Sequence, residues 1–597
     1  MSKTECDVII IDSGITKECY CDYKKRIIGY KSFGDDEYIY DKNGHGTAVF
    51  HKIAYRSNAS IFLIKIFDDR LEVCEDRLVS ALLFIIHNLK GKILNLSLGL
   101  TQCNSKSYIE DLCKKIVEEG TLIIAAYDNT GALSYPAAFP FVLGVDVSNE
   151  CRKEDDFIVI NNSIVDVLGF GKMQRVKWLE NVPFAFVSGS SFAAANITHF
   201  LIVYIETNNL YNINYDESKK VLSKHAIKNL CYTKTSRQDP PIIKKAIALP
   251  YNKEISSLIN YDDLLTFELI DIYDFHVTGN VSRIVNSIFK NNSYTIKDVE
   301  DICWEDDFDT IIVGHVHELE LALNFNIIDF FIAKCSLYNK KLFLFDWDET
   351  DSTLNNSNVY CSPKIDRKNV GFTNGKLFLN NTPVLGVWGT SSYQGKFTLQ
   401  LYLRRAFIKN GYRISQISTE PSGYLFGMDS VIPMGYNSSV NMNFRETICY
   451  INQEISRIGD NEPDLIIVGA QSNSTLYYPG NISQFPTAQI ELLLGSMPDA
   501  VILCVNSFDD HFYIKRTINM IESLTYSKVI ALGLYPLKNK GSGMLQKKNT
   551  LSNIEIDNKK TVLKSDFQLP VFTIGVEKEM ESVFLYIIDW FSNEHTV

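Results

Sequence analysis

Short apolar runs alternate with amphipathic segments along the first part of the chain. Runs rich in Ile, Leu and Val, typical of buried parallel strands, lie at Val8–Ile11, Ile61–Phe67, Ile93–Leu98, Thr121–Ala126 and Val142–Val147. Between two of these runs, apolar residues recur every three or four positions from Leu78 to Leu89, which predicts a helix. The alternation predicts an α/β fold, a parallel sheet with helices on both faces.

The same alternation resumes twice further along the chain. Strands are predicted at Ala246–Leu249, Phe267–Ile272, Thr310–Val313 and Lys341–Phe345, and a later one at Val384–Val387. Polar stretches without periodicity, which predict links, cover residues 233–242 and 351–358. We therefore predict three α/β domains, at 1–232, 243–372 and 375–597. At 597 residues the chain is long enough for several cores.

Composition removes some classes of partner. The net charge of -12 argues against nucleic acid and against an anionic membrane surface as partners, since both require basic patches. No apolar run approaches the roughly 20 residues that a membrane-spanning helix needs. The 13 cysteines lack metal-like pairing, and no basic-then-apolar leader opens the chain, so we predict reduced thiols in the cytoplasm.

Three short motifs carry the residue types of acyl transfer. They are Ile11-Asp12-Ser13-Gly14, Asn43-Gly44-His45-Gly46-Thr47 and Ser188-Gly189-Ser190-Ser191-Phe192-Ala193. A serine hydroxyl can attack a carbonyl once an imidazole accepts its proton, and a carboxylate can orient that imidazole. Each motif also has a structural reading, because Asp12 can form a turn, His45 can be a core histidine and Ser191 can cap a helix.

The order Asp…His…Ser is the one found in subtilisin, and the chain resembles the subtilases over about residues 1–230. The resemblance implies a subtilisin-like fold and a serine endopeptidase that acts on a peptide or protein without a cofactor, through Asp12, His45 and Ser191. It also implies that Ser97, Leu98 and Gly99, within Asn95-Leu96-Ser97-Leu98-Gly99, bind substrate. Asn129 would donate to the oxyanion beside the backbone N–H of Ser191.

The departures from the subtilase pattern lie beside these residues. Tyr127 and Asp128 replace a small Ala-Gly pair, which would change the wall of the specificity pocket. Ala195 and Asn196 stand where the family has Pro-His. Asp12 lies so near the start that we expect no inhibitory propeptide, and hence an intracellular enzyme.

A phosphate-binding turn is predicted after the strand at Val384–Val387. Gly389, Thr390, Gly395, Lys396 and Thr398 lie in a glycine-rich strand-to-helix turn, which can bind phosphate through backbone N–H groups. Five residues separate the two glycines, so the turn is not a plain Walker A motif. It resembles the dethiobiotin-synthetase-like P-loop proteins, and more closely the P-loop family that includes D-glutamate N-acetyltransferase-like proteins.

That second resemblance implies a Rossmann-like unit at 243–372, a P-loop unit at 375–597, and ATP or GTP with Mg²⁺ as ligands. The Glu that the relatives have near Gln471 is missing, which weakens the case for Mg²⁺. A P-loop scaffold that no longer binds phosphate is the alternative.

The combination of the two halves resembles proteins that mature ribosomally made, bacteriocin-like peptides. The resemblance implies cleavage of a precursor peptide alongside peptide-maturation enzymes. One alternative is a nucleotide-gated binding or assembly protein with a vestigial protease domain. Another is a ligase-like enzyme, transferring a nucleotide or acyl group, centred on Lys396.

Overall fold

A computed structural model describes residues 3–34, 37–68, 71, 74–231, 242–290, 292–345, 358–361, 363–378, 380–435, 438–478, 480, 482, 485–537 and 550–593. The chain divides into two compact units. The first comprises residues 1–234 with 371–377, and the second comprises residues 235–370 with 378–597. Most of the two predicted links falls on residues 232–241 and 346–357, outside the described residues.

The first unit is built on a nine-stranded sheet. Its strands, with the hairpin of β9 and β10, are β1 (Thr4–Asp12), β2 (Ile27–Ser32), β3 (Ile61–Lys65), β4 (Leu89–Leu96), β5 (Leu122–Ala126), β6 (Leu143–Val147), β7 (Phe157–Asn161), β8 (Val167–Gly169), β9 (Gln174–Leu179), β10 (Val182–Val187) and β11 (Lys228–Cys231). The order across the sheet is β11-β7-β8-β6-β5-β4-β1-β3-β2. Every pair is parallel except β7 with β8. All five predicted strands are confirmed.

Helices cover both faces of this sheet, as predicted. They are α1 (Lys17–Asp22), α2 (His45–Ala54), α3 (Glu75–Asn88), α4 (Lys106–Glu118), α5 (Ser190–Thr207) and α6 (Tyr215–His225). Alternate residues of β1 explain the two layers, since Ile10 packs with α2 and α5 whereas Ile9 packs with α3 and α4. α5 is apolar on most of its surface because it lies against β4, β5 and β6 within the core.

The second unit contains two larger sheets. Its strands are β12 (Lys245–Leu249), β13 (Glu268–Asp274), β14 (Ile284–Asn286), β15 (Ser293–Thr295), β16 (Lys297–Asp298), β17 (Thr310–Val313), β18 (Lys341–Leu344), β19 (Val359–Cys361), β20 (Ile365–Asp366), β21 (Val384–Gly389), β22 (Ile414–Ser418), β23 (Ser430–Val431), β24 (Val440–Asn441), β25 (Leu465–Gly469), β26 (Ala500–Asn506), β27 (Lys528–Tyr535) and β28 (Val571–Thr573). The sheet orders are β16-β13-β12-β17-β18-β19 and β23-β22-β25-β21-β26-β27-β28.

The helices of the second unit are α7 (Lys253–Asn260), α8 (His317–Leu323), α9 (Ile327–Leu337), α10 (Lys396–Lys409), α11 (Phe444–Gly459), α12 (Thr487–Ser496), α13 (His511–Leu524), α14 (Asn553–Phe567) and α15 (Glu577–Ser592). Short 3₁₀ turns lie at Asp262–Leu264, His276–Thr278, Val299–Asp301, Arg367–Asn369 and Pro421–Phe426. Within the described part of the chain, none of the helices combines the length and the apolar character needed to span a bilayer.

The two sheets of the second unit share one hydrophobic core. Ala248 and Ile272 from the first sheet belong to the same buried cluster as Leu385 and Ile502 from the second. The predicted domains 243–372 and 375–597 therefore lie in one compact unit, whereas residues 371–377, at their predicted junction, belong to the other.

Candidate active site and phosphate loop

Asp12 and His45 meet at the carboxyl end of the first sheet. Asp12 is the last residue of β1, and His45 is the first residue of α2. The Nδ1 atom of His45 lies 2.7 Å from Oδ1 of Asp12, and the same carboxylate oxygen accepts the backbone N–H of Ser13 at 2.7 Å. A Cβ at Gly46 would lie 2.4 Å from the carbonyl oxygen of Gly14, so glycine is needed for this close approach.

Asp41 organises the turn that leads into His45. Its Oδ1 accepts the backbone N–H groups of Asn43 and Gly44, each at 2.9 Å, and the hydroxyl of Ser13 at 3.0 Å. Its Oδ2 accepts the N–H of Thr47 at 2.9 Å and the Thr47 hydroxyl at 2.7 Å. The Asp41 carboxylate therefore stabilises the first turn of α2, where negative charge is favoured.

The imidazole of His45 has opposing influences on its pKa. Burial lowers the pKa, because the charged form loses solvation. The Asp12 carboxylate, through its charge and hydrogen bond, and then the charge of Asp41, raise it. The net result is a pKa above the ordinary value of 6.5.

Ser191 is the second residue of α5 and is 8% exposed. In this conformation its hydroxyl donates to the backbone carbonyl of Ser97 at 3.1 Å. The ring of Phe192, the next residue, lies 5.4 Å from the His45 ring, centroid to centroid, because α2 packs on α5. Ser191 and the His45 imidazole thus lie at the same end of the sheet.

Asn129 lies beside the start of α5. Its Oδ1 accepts the Ser190 N–H at 2.9 Å and lies 3.0 Å from the Ser190 hydroxyl oxygen, whose shorter contact is with the Tyr127 carbonyl. These contacts fix the amide oxygen and leave the amide NH₂ as a donor on an exposed side chain. Gly189, at φ +142°, permits this contact, since a Cβ there would lie 2.9 Å from Oδ1 of Asn129.

The predicted substrate-binding residues follow β4, and the first of them, Ser97, contacts Ser191. The Ser97 carbonyl receives the Ser191 hydroxyl, and the Ser97 hydroxyl donates to Oδ1 of Asn95 at 2.9 Å. Leu98 is 6% exposed and packs in the core. A Cβ at Gly99 would lie 2.5 Å from Oγ of Ser134.

In the second unit, the phosphate loop joins β21 to α10. Gly389 ends the strand, and Gly395 precedes the helix at φ +71°. A Cβ at Gly395 would lie 2.7 Å from the ring of Tyr535, so a larger residue would displace this aromatic side chain. Lys396 is the first residue of α10, as the motif requires.

Hydrogen bonds within the loop, and from the loop to Asp509, hold it in its conformation. The amide oxygen of Gln394 accepts the Ser391 N–H at 2.8 Å, and Nζ of Lys396 donates to the Ser391 carbonyl at 2.7 Å. The Gln394 amide also donates to Oδ2 of Asp509 at 3.1 Å, and the Thr390 hydroxyl donates to the same oxygen. Burial lowers the pKa of the Lys396 ammonium to about 8.

A cavity of about 300 Å³ lies beside this loop. Thr398, one of the predicted loop residues, lines it. The other lining residues are all uncharged: Ser257, Asn260, Tyr261, Ile288, Tyr402, Tyr535, Pro536, Leu537, Thr550, Ile574 and Gly575.

Two parts of the chain match known protein families. Residues 4–246 match the subtilase family. This N-terminal part of the chain is a subtilase domain. Residues 371–579 match a P-loop domain described as a domain of unknown function, DUF1611_C.

Relatives of the subtilase domain include two curated bacterial proteases. The chain is 28% identical over 215 residues to an intracellular serine protease of Paenibacillus polymyxa, covering 32% of this chain and 63% of that protein. It is 27% identical over 214 residues to the major intracellular serine protease of Bacillus subtilis (strain 168), covering 32% and 65%. The chain therefore spans less than two thirds of either relative.

Among solved structures, this chain is similar to a DUF1611 family protein from Anabaena variabilis. The alignment covers 58% of this chain and 100% of the chain of that protein. The TM-score is 0.42 and the sequence identity is 15%.

In the subtilase domain, several of the predicted site residues contact one another or a neighbour of the predicted nucleophile. Asp12 contacts His45, Asn129 contacts Ser190, and Ser97 contacts Ser191. Sequence reasoning missed Asp41 and Ser190. The signal for Asp41 was an acidic residue four positions before the histidine, next to the glycine turn.

Sequence reasoning also missed Gln394 and Asp509 at the phosphate loop. Gln394 stands inside the loop motif, and Asp509 follows β26, the strand paired with β21. A carboxylate just beyond the strand next to a P-loop strand was the available signal.

Proposed function

We propose that the subtilase domain is a serine endopeptidase with Ser191 as nucleophile. The Asp12–His45 hydrogen bond, at the end of the sheet where α5 presents Ser191, carries this proposal. The subtilase match and the two protease relatives support it.

The geometry supports the usual sequence of acyl transfer. Rotation about the Cα–Cβ bond of Ser191 would turn its hydroxyl from the Ser97 carbonyl toward His45. The imidazole would accept the proton as Oγ bonds to the scissile carbonyl carbon, whose oxygen becomes the oxyanion. Asp12 would stabilise the imidazolium that forms. The tetrahedral oxyanion would accept hydrogen bonds from the Asn129 amide and the Ser191 N–H, and losing one such donor typically costs about 10²–10³ in turnover. Proton return from His45 would release the leaving amine, and water would then hydrolyse the acyl-enzyme.

The proposed substrate is a ribosomally made precursor peptide in the cytoplasm, with peptide-maturation enzymes as partners. The names of the two intracellular relatives support the compartment. The resemblance of the fused halves to bacteriocin-maturation proteins supports the substrate class.

A fluorophosphonate probe tests the catalytic proposal. We expect wild type to be labelled at Ser191 and Ser191→Ala to remain unlabelled. Ser188→Ala, which changes an exposed serine three residues earlier, should label like wild type. An unlabelled wild type would contradict the proposal. Mass spectrometry of candidate precursor peptides incubated with the protein, with and without ATP, then identifies the scissile bond.

A vestigial protease domain remains the alternative, in which the chain would be a nucleotide-gated assembly protein. Full peptide processing by Ser191→Ala would favour that alternative.

We also propose that the second unit binds a nucleotide, ATP or GTP, at the phosphate loop. Lys396 and the first N–H groups of α10 would contact the phosphates. The uncharged cavity that Thr398 lines has room for a nucleoside, with Tyr402 and Tyr535 available for stacking. A phosphate would have to displace Gln394 from Ser391. Asp509, the buried carboxylate hydrogen-bonded to Thr390 and Gln394, would be the residue available to hold Mg²⁺, which would neutralise charge on the phosphates.

Titration calorimetry with inorganic tripolyphosphate and with ATP tests nucleotide binding. We expect both to bind wild type, and Lys396→Ala to weaken both. Tyr535→Ala should weaken ATP alone, because tripolyphosphate carries no base. Equal affinities in wild type and Lys396→Ala would contradict the proposal, and would also remove a ligase-like enzyme centred on this lysine.

A further inference from the structure

A short segment far from the subtilase domain in sequence folds into the same compact unit. Residues 371–377 belong to the first unit, although the subtilase match ends at residue 246. The segment turns back on itself through a bond from the Lys376 N–H to the Thr373 carbonyl at 3.1 Å, with Gly375 at φ +78°. The Phe372 carbonyl accepts the Ser163 hydroxyl, and the Phe372 ring packs on the core of α3 and α4.

Lys376 is the centre of this contact. Its side chain is 0% exposed and forms an ion pair with Oδ2 of Asp146, a buried residue of β6. The Asn374 amide donates to the same oxygen at 2.9 Å, and the other carboxylate oxygen accepts the Val147 N–H at 2.8 Å. Because an unpaired buried charge is strongly unfavourable, Asp146 depends on this segment for its compensation.

The contact extends from Lys376 to Tyr127, two residues before the proposed oxyanion donor Asn129. Nζ of Lys376 lies 4.7 Å from the centroid of the Tyr127 ring, within cation–π range. The Tyr127 hydroxyl donates to the Ile164 carbonyl at 2.5 Å, and its backbone N–H donates to the Val145 carbonyl at 2.9 Å. The Tyr127 carbonyl accepts the Ser190 hydroxyl, so both ends of this residue are anchored.

Tyr127 also explains why such a segment is needed. The subtilase pattern has a small residue here, and the large phenol brings a ring into a fully buried position. Two residues later, Asn129 accepts the Ser190 N–H. A shift of Tyr127 would therefore move the oxyanion donor and the residue before the nucleophile together.

We propose that residues 371–377 are a built-in positioning segment of the active site, in which Lys376, through Tyr127, sets the place of the oxyanion donor Asn129. Its effect on catalysis rests on the proposed protease function, whereas its effect on loop order does not. The segment lies at the start of the P-loop match, so neither family match contains a complete protease unit.

The test compares Lys376→Met with Lys368→Met, a matched change at an exposed lysine eight residues earlier. In the full chain, at a temperature where all variants are folded, we expect Lys376→Met to slow fluorophosphonate labelling of Ser191 by about 10- to 100-fold, the range expected for a small misplacement of a reacting group. Lys368→Met should label at the wild-type rate.

A double-mutant cycle with Asn129→Ala separates positioning from general destabilisation. If Lys376 acts through Asn129, the labelling rate of the double variant should equal that of Asn129→Ala alone. Independent, multiplicative effects of the two changes would overturn the positioning role. Asn374→Ala, a milder change to the same carboxylate contact, replaces Lys376→Met if the latter does not fold.

Hydrogen exchange gives a readout that needs no activity. We expect faster amide exchange in the peptide covering residues 126–134 of Lys376→Met, and unchanged exchange in Lys368→Met. If wild type is not labelled, the protease proposal fails, and this exchange result alone decides the positioning segment. Equal exchange in Lys376→Met and wild type would overturn it.

Discussion

At the scale of single residues, His45 lies near two carboxylates with different tasks. Asp12 bonds the imidazole directly, whereas Asp41 bonds the backbone of the turn and acts on His45 through its charge. Both raise the pKa of the imidazole against the effect of burial. A general base must be neutral, so activity should appear as pH rises through this raised pKa.

The pH dependence of Asp41→Asn tests that reading. Removing one negative charge lowers the pKa of His45, so the ascending limb of the labelling-rate profile should move to lower pH. We expect the midpoint in wild type to lie above the ordinary histidine value of about 6.5. Asp111→Asn, on the far face in α4, should leave the midpoint unchanged. A midpoint that does not move in Asp41→Asn would contradict the assignment.

Gln394 is the second residue for which we predict an effect, in this case on phosphate binding. Its amide oxygen competes with any phosphate for the Ser391 N–H. We expect Gln394→Ala to bind tripolyphosphate about 3- to 10-fold more tightly, the range for removing one competing hydrogen bond. Ser392→Ala, an exposed position in the same loop, serves as the calorimetric control. Weaker binding by Gln394→Ala would mean that its side chain supports the phosphate site.

At the scale of elements, the helices that carry His45 and Ser191 each follow a glycine, for steric reasons. Gly44 and Gly189 precede α2 and α5 with φ of +101° and +142°. A Cβ at Gly44 would lie 2.4 Å from the Trp178 ring, and one at Gly189 would meet the Asn129 amide. These glycines let β-strand ends and helix starts converge, which places the side chains of the site.

Gly189→Ala tests this element-level requirement. The substitution adds strain of about 1–3 kcal/mol at this φ and displaces the Asn129 amide. We expect fluorophosphonate labelling to fall by about 10²–10³, the effect of losing one oxyanion donor. Gly411→Ala is the control, since φ there is +83° but no heavy atom lies within 4 Å of the added Cβ. Normal labelling of Gly189→Ala would show that Asn129 does not need this contact.

At the scale of the whole molecule, two buried lysines differ in how their charge is compensated. Lys376 forms an ion pair with a carboxylate, so its removal leaves Asp146 uncompensated. Lys396 donates to a backbone carbonyl, and burial lowers its pKa to about 8. Lys396 therefore loses its proton at a lower pH in the folded chain than in the unfolded chain, where the pKa of a lysine is about 10.4.

The pH dependence of unfolding follows from that difference. Between about pH 8 and pH 10 the unfolded chain binds more protons at Lys396 than the folded chain, so this group makes the free energy of unfolding rise with pH. We expect Lys396→Met to lose this rise in denaturant titrations, measured relative to wild type. Lys409→Met, at the end of the same helix, should retain it. Parallel curves for wild type and Lys396→Met would contradict the lowered pKa.

The linear sequence determined much of the fold and the chemistry. Alternating apolar runs were sufficient for the α/β class because buried parallel strands need apolar residues on both faces, and the strand at Val8–Ile11 lies within the longer β1. The residue types around Asp12, His45 and Ser191 indicated acyl transfer because few other uses require that combination. Local motifs of this kind are readable because their geometry is set within a few residues.

Tertiary structure decided what depends on contacts between distant residues. No periodicity connects Lys376 with Asp146, 230 positions earlier, since that ion pair exists only when the chain returns to the first unit. The hydrogen bonds from Thr390 and Gln394 of the phosphate loop to Asp509 likewise depend on β26 lying beside β21. The sequence indicated the candidate reacting groups, and the packing of remote segments determined their positions and electrostatic surroundings.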